Sequence, residues 1–217
     1  MRTRPGRQGC RPTCAAAEPD DLADGAALVE LVEIIGRLRR ECAWKAEQTH
    51  ESLTRYLLEE SFETVEAIES GSPDDLREEL GDLLLQVYLH AAIAAEEGRY
   101  DVDDVARDLA AKMVRRNPHV FGDQPQSDAH AINEVWQAIK AEEKPRAALM
   151  EGVPLALPAL LRADKLLDRS ARAGVPVDVD ADSTDVGERL LAVVVEAREA
   201  GVDPEQALRA AVRRREG

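Results

Sequence analysis

Five carboxylates stand at spacings that could hold a hard divalent cation. Glu59, Glu60 and Glu63 lie together in Leu58-Glu59-Glu60-Ser61-Phe62-Glu63, with Glu66 one helical turn on; fifteen residues separate Glu63 from Glu79, and Asp82 follows at i+3. Residues three or four apart share one face of an α-helix, so each run can offer a pair of acids to a neighbour. At about 100° per residue, Leu58, Phe62 and Val65 form a narrow apolar face and place Glu59, Glu60, Glu63 and Glu66 opposite it. In the following run, Leu76, Leu80, Leu83, Val87 and Ala91 form the apolar stripe, and Glu79 and Asp82 sit on its flank, at a partly buried boundary. Carboxylates gathered without a counter-charge repel, and desolvation raises their pKa values. A cation removes that repulsion, and an all-oxygen donor set selects magnesium, or manganese, over zinc. In a chain with 43 acidic residues a single Glu-x-x-Glu is ordinarily a solvated face. Two acid pairs on consecutive helices leave both readings open on spacing alone.

The elements that must position these acids are helical. Leu28, Leu31, Val32, Ile35 and Leu38 predict a helix over 27–41, followed by a loop from Cys42 to His50. A second helix, over 51–70, stops at Gly71-Ser72-Pro73, and a third runs over 74–97 with Gly98 as its C-cap. Asp101 caps a fourth, which ends at Asn117-Pro118 because proline cannot continue it. Short connections between four such helices predict an all-α, antiparallel four-helix bundle. Beyond Phe121 a polar loop leads to a helix over 128–143, and Gly152-Val153-Pro154 and Pro158 mark a linker before a helix over 158–173. The tail contains an echo. Asp185-Val186-Gly187-Glu188-Arg189-Leu190-Leu191 follows the pattern of Glu79-Leu80-Gly81-Asp82-Leu83-Leu84-Leu85. Gly201-Val202-Asp203-Pro204 and Arg213-Arg214 likewise follow Gly98 to Asp101 and Arg115-Arg116, as in a degenerate internal repeat without the acidic helix. The expected organisation is a disordered extension over 1–25, a complete module over 26–150, and a linker with a reduced second module over 151–217.

Composition narrows the partners. The formal net charge of −15 disfavours a nucleic-acid polymer, whose phosphates would be repelled, but permits a small polyphosphate bridged by a divalent cation. No apolar run approaches the roughly 20 residues that span a bilayer, so no membrane partner is expected. Cys10 and Cys14 resemble half of a metal knuckle without a second pair, and three cysteines with no signal peptide suggest reduced thiols and a cytoplasmic location. The arginines at 2, 4, 7 and 11 precede no apolar segment.

The ordered acids resemble the signature of the MazG family, within the all-α nucleotide pyrophosphohydrolases. The resemblance extends to Leu38-Arg39, Cys42-Ala43-Trp44 with Gln48-Thr49-His50, Glu78 through Leu84, Arg115 through Phe121, and Trp136-Gln137-Ala138-Ile139-Lys140, together covering about 28–150. It implies a MazG-like module that hydrolyses nucleoside triphosphates to monophosphate and pyrophosphate with magnesium, as a homodimer, in sanitation of the nucleotide pool. Carried over by position, Glu60, Glu63, Glu79 and Asp82 would be metal ligands, and Glu59 an outer acid or the base for the attacking water. Lys112 and Arg116 resemble residues that hold phosphates; Arg77 could reach the same phosphates or form a salt bridge. Trp136 and Lys140 match nucleotide contacts, with Trp136 able to stack on a base or to serve in the core. The family's loop usually reads Cys-Pro-Trp-Asp; Ala43 and Lys45 depart from it, removing a stiff turn and one negative charge. The competing expectations are a nucleotide-binding regulatory or scaffold protein that has lost catalysis, and a structural bundle with solvent-facing acids.

Overall fold

The computed structural model describes residues 25–123, 128–144 and 148–216. Cys10 and Cys14, and the expected extension up to residue 24, lie outside the described residues. Among the described residues the chain is helical throughout, without a strand, and it divides into two compact units after Arg115.

The first unit is built on α1 (Ala26–Glu41), the short α2 (Ala43–Ala46), α3 (His50–Ser70), α4 (Pro73–Glu96) and α5 (Val102–Arg116). Local chemistry fixes the helix starts. The Thr49 hydroxyl accepts from the Ser52 amide and the Ser72 hydroxyl from the Asp75 amide, each in a reciprocal box that satisfies donors left open in the first turn. Asp101 and Asp104 exchange the same pair of bonds at the start of α5. Only Gly71 and Ser72 separate α3 from α4, so the two helices fold back as an antiparallel hairpin, and α1 packs on α4. Ile35, Leu53, Tyr88, Leu89 and Ile93 form the buried core, with Leu31, Leu38, Tyr56, Leu84, Leu85 and Val102 against it. Leu53 and Leu89 are wholly buried, each contributing about 1.5–3 kcal/mol of burial. The core therefore sits where the first half of α3 meets the last half of α4, and the acids lie beyond it towards the hairpin turn. Val102 is the α5 residue packed against this core; Val105, Leu109 and Val114 remain well exposed.

The hairpin meets through a different face from the one the apolar pattern predicts. Leu58 and Phe62, expected inside, are 49% and 50% exposed, whereas Leu53, Thr64 and Ala67 are buried with Glu60 partly buried among them. Thr64 and Ala67 are small and let α4 approach closely, which leaves the bulkier side chains outside. The Thr64 hydroxyl donates to the Glu60 carbonyl at 2.7 Å and lies 3.5 Å from the Glu79 carbonyl, tying the helices at the level of the acids. On α4, Leu80 and Val87 are likewise exposed, and the inward row is Glu79, Asp82, Gln86, Leu89 and Ile93, at alternating steps of three and four. The acids thus continue the core row instead of flanking it.

In the second unit, α6 (Pro118–Phe121) and α7 (Ala129–Glu143) precede α8 (Ala159–Ala173), α9 (Val186–Glu199) and α10 (Pro204–Glu216), and the last three pack on one another. Val194 is buried, while Val186, Leu190 and Val193 are exposed. Arg198 of α9 pairs with Asp164 of α8. Gly98 and Gly201 end α4 and α9 with the same φ of 68°, a left-handed conformation that suits glycine. In each case the residue after the glycine bonds back to the carbonyl five residues earlier, Ala94 or Ala197.

Candidate active site

Carboxylate oxygens of Glu60, Glu79 and Asp82 lie within 4.8 Å of one another. Glu60 comes from the inward face of α3 and the other two from the continuing row of α4. All three are partly buried. Glu63, exposed on α3, adds negative charge beside both Glu60 and Glu79. Burial first, then the charges of Asp82 and Glu63, lift the Glu60 carboxyl above the usual carboxylate range. Burial, then Glu63 and Asp82, lift Glu79 in the same direction. An all-oxygen set whose members repel one another fits a hard divalent cation. Glu59 is exposed on α3 and is not one of the three clustered acids.

That crowding has a measurable sign. In chelator, Glu60→Gln should melt at a higher temperature than the parent, because one repelling charge is gone and side-chain volume is kept. In millimolar magnesium the parent should melt higher, since its intact acid set gains more from the bound ion. Thermal scans with and without magnesium that give the same ranking would rule out a cation site here.

The loop before α3 is anchored from below by a residue whose part the sequence did not reveal. Arg39 is buried; its guanidinium donates to both Glu96 carboxylate oxygens, at 2.9 and 2.6 Å, and to the main-chain carbonyls of Lys45 and of Gln48, the latter at 3.0 Å. Trp44 meets Tyr56 edge to face at 5.8 Å between centroids, and the Lys45 ammonium lies over the Trp44 ring. Where that loop enters α3, His50 and His90 approach Nδ1 to Nδ1 at 2.7 Å, and burial followed by the charge of His50 keeps His90 below the usual histidine range. These partners stand 57 and 40 residues apart, with no shared helical spacing to reveal them.

The expected phosphate and base contacts fall in both units. Arg77 pairs with Asp74 at 3.1 Å in full solvent. Lys112 is partly buried on α5 of the first unit. Arg116, Trp136 and Lys140 belong to the second unit. There the Arg116 guanidinium is buried against Glu143, with Nε at 3.0 Å, and lies 5.3 Å above the Trp136 ring, so it occupies one face of the indole. Lys140 is partly buried on α7.

A protein-family profile described as the MazG nucleotide pyrophosphohydrolase domain matches residues 48–121, which contain all five acids. The chain is 38% identical to the nucleoside triphosphate pyrophosphohydrolase/pyrophosphatase MazG of Thermotoga maritima, an alignment covering 88% of this chain and 83% of that one. It is 42% identical to the nucleoside triphosphate pyrophosphohydrolase of Mycobacterium tuberculosis, covering 88% of this chain and 57% of the relative, so it spans little more than half of that longer protein. An uncharacterized 26.1 kDa protein of Streptomyces cacaoi is 48% identical over 86% of this chain and 78% of its own.

Proposed function

The chain belongs to the MazG nucleotide pyrophosphohydrolase family, and from that premise we propose that it hydrolyses nucleoside triphosphates, ribo or deoxy, to monophosphate and pyrophosphate with magnesium. The observation that carries this reading is the meeting of Glu60, Glu79 and Asp82 within 4.8 Å, inside the segment the family profile matches. Glu60, Glu63, Glu79 and Asp82 would hold the cation, with manganese as a possible replacement. The ion would neutralise polyphosphate charge and favour ionisation of water. Thr64 fixes the spacing of the two acid-bearing helices, so the carboxylates meet substrate already in place. Glu59, exposed next to Glu60, is proposed as an outer acid or as the acceptor of the proton from attacking water; that water's oxygen forms the new bond to the α-phosphorus as the bond from that phosphorus to the departing pyrophosphate breaks.

Lys112, Arg116, Trp136 and Lys140 are proposed to contact phosphates and nucleotide, and the functional module to extend over 26–150. Residues 151–217 are read as a reduced repeat from the sequence pattern that Asp185 to Leu191 share with Glu79 to Leu85. Their Asp185 caps α9 by accepting from the Gly187 amide at 2.7 Å, a structural duty in place of a metal one. A homodimer is part of the same reading: Leu58, Phe62, Leu80 and Val87 leave an apolar surface beside the acids that a second copy would cover. So is a cytoplasmic setting, in keeping with the free thiol of Cys42. No described helix is long and apolar enough to cross a membrane.

The test is pyrophosphate release across canonical and damaged NTPs and dNTPs. Magnesium-dependent release from at least one of them, abolished by chelator, is the expected result. Absence of release from the whole panel would leave the chain without the proposed activity.

A further inference from the structure

Among the described residues, buried side-chain atoms without a hydrogen-bond partner occur at Gln86 Oε1, His90 Nε2 and Arg162 Nε. Of these residues, Gln86 is the one that stands within about a helical turn of a clustered acid. It follows Asp82 at i+4 and Glu79 at i+7 on α4, and at about 100° per residue it falls between the two around the helix. Only 3% of it is exposed. A buried amide ordinarily has its hydrogen bonds made, and an end left open costs stability. Leu89 and Ile93, the next positions of the same row, are apolar and buried. An apolar side chain would serve position 86 equally well if packing were all that the place required.

The geometry of the hairpin brings Gln86 to the acids. Helical side chains lean towards the N-terminus of their own helix, so Gln86 leans back to the level of Asp82, about 6 Å along the axis. The antiparallel α3 is in register through the Thr64 hydroxyl, 3.5 Å from the Glu79 carbonyl. From that level Glu60 stands about 6 Å and Gln86 about 10 Å along the pair in the same direction. Because α3 runs the other way, Glu60 leans towards Gln86 in its turn. We propose that Gln86 is a positioning residue of the cation site, its amide oxygen accepting a hydrogen bond from a water that the cation holds. This rests on the reading of the carboxylates as a cation site, and holds whether or not hydrolysis follows. A neutral oxygen suits the place, since it orients that water without adding to the repulsion among Glu60, Glu63, Glu79 and Asp82.

The test is calorimetric titration of the full chain with magnesium alone, beside thermal scans in chelator and in magnesium. Gln86→Leu removes both polar ends of the amide and keeps much of its volume. In chelator it should melt above the parent, because the unpartnered atom is gone. Magnesium should bind it about tenfold more weakly, and its gain in Tm on adding magnesium should shrink. Gln86→Glu keeps an oxygen at the same place and adds a charge. It should melt below the parent in chelator yet bind magnesium at least as tightly. A folded Gln86→Leu that binds magnesium as the parent does would overturn the proposal; that is the result expected if the amide shares a water with His90, one turn further along α4. Equal weakening in both variants would show a packing role and overturn it as well. If Gln86→Leu does not fold, Gln86→Glu decides, and an affinity below the parent's counts against the proposal. A parent that binds no magnesium removes the cation site and this proposal together. Magnesium affinity that follows position 86 in a chain releasing no pyrophosphate supports the proposal and counts against the hydrolase reading alone.

Discussion

Asp82→Asn is expected to lower magnesium-dependent pyrophosphate release by on the order of a hundredfold or more, with helical content unchanged. The asparagine keeps the volume of the side chain and removes the charge. Asp82 stands within 4.8 Å of Glu60 and Glu79, so a proposed cation would lose one of its charged oxygens while the other two remain. Magnesium should then bind more weakly, and raising its concentration should restore part of the rate. A variant that keeps near-parental turnover at limiting magnesium would remove Asp82 from the site. Turnover and circular dichroism measured on the same preparation separate loss of chemistry from loss of fold.

The second large effect lies away from the acids. Arg39→Ala should cost about 2–3 kcal/mol, below the full loss for a buried pair because Glu96 is half exposed and can rehydrate. In a chain of this size that corresponds to roughly 5–10 °C in Tm. Glu96→Gln should cost less, since Arg39 keeps the carbonyls of Lys45 and Gln48. The pH dependence has a definite sign. The hydrogen bond from Arg39, followed by its charge, holds the Glu96 carboxyl below its ordinary value of 4.5. A carboxyl lowered on folding contributes stability above the unfolded pKa and loses it as pH falls through the folded one. The gap between parent and Arg39→Ala should therefore narrow in acid. A gap that stays constant from neutral pH through the carboxylate range would show that the ion pair is not what the arginine supplies.

The helices were legible in the sequence because their ends are written in short-range chemistry. Gly71-Ser72-Pro73 and Gly98 stop α3 and α4 within one or two residues of the expected positions, and Asp101 caps α5 as expected. The face through which α3 and α4 meet was not legible. Hydrophobicity favours Leu58 and Phe62, but close approach of two helices is set by side-chain size, and the small Thr64 and Ala67 decide it. The same rotation carries Glu60 inward, which a count of apolar positions cannot reveal. Arg39 with Glu96, and His50 with His90, depend on how three helices stack, and one chain offers no local signal for that. Arg116 shows the converse: the resemblance offers it as a residue that holds phosphates, whereas here its guanidinium lies against Glu143 and Trp136.

The clamp on the loop before α3 has a consequence for how this protein can change over time. Arg39 grips the loop at the carbonyls of Lys45 and Gln48, atoms that every residue type provides. Substitution at position 43 or 45 is therefore invisible to the anchorage. The loop is free to drift in side-chain character, as Ala43 and Lys45 already illustrate, while its main-chain path stays fixed. Selectivity that depends on those side chains could diversify between lineages without a compensating change anywhere in the hairpin below.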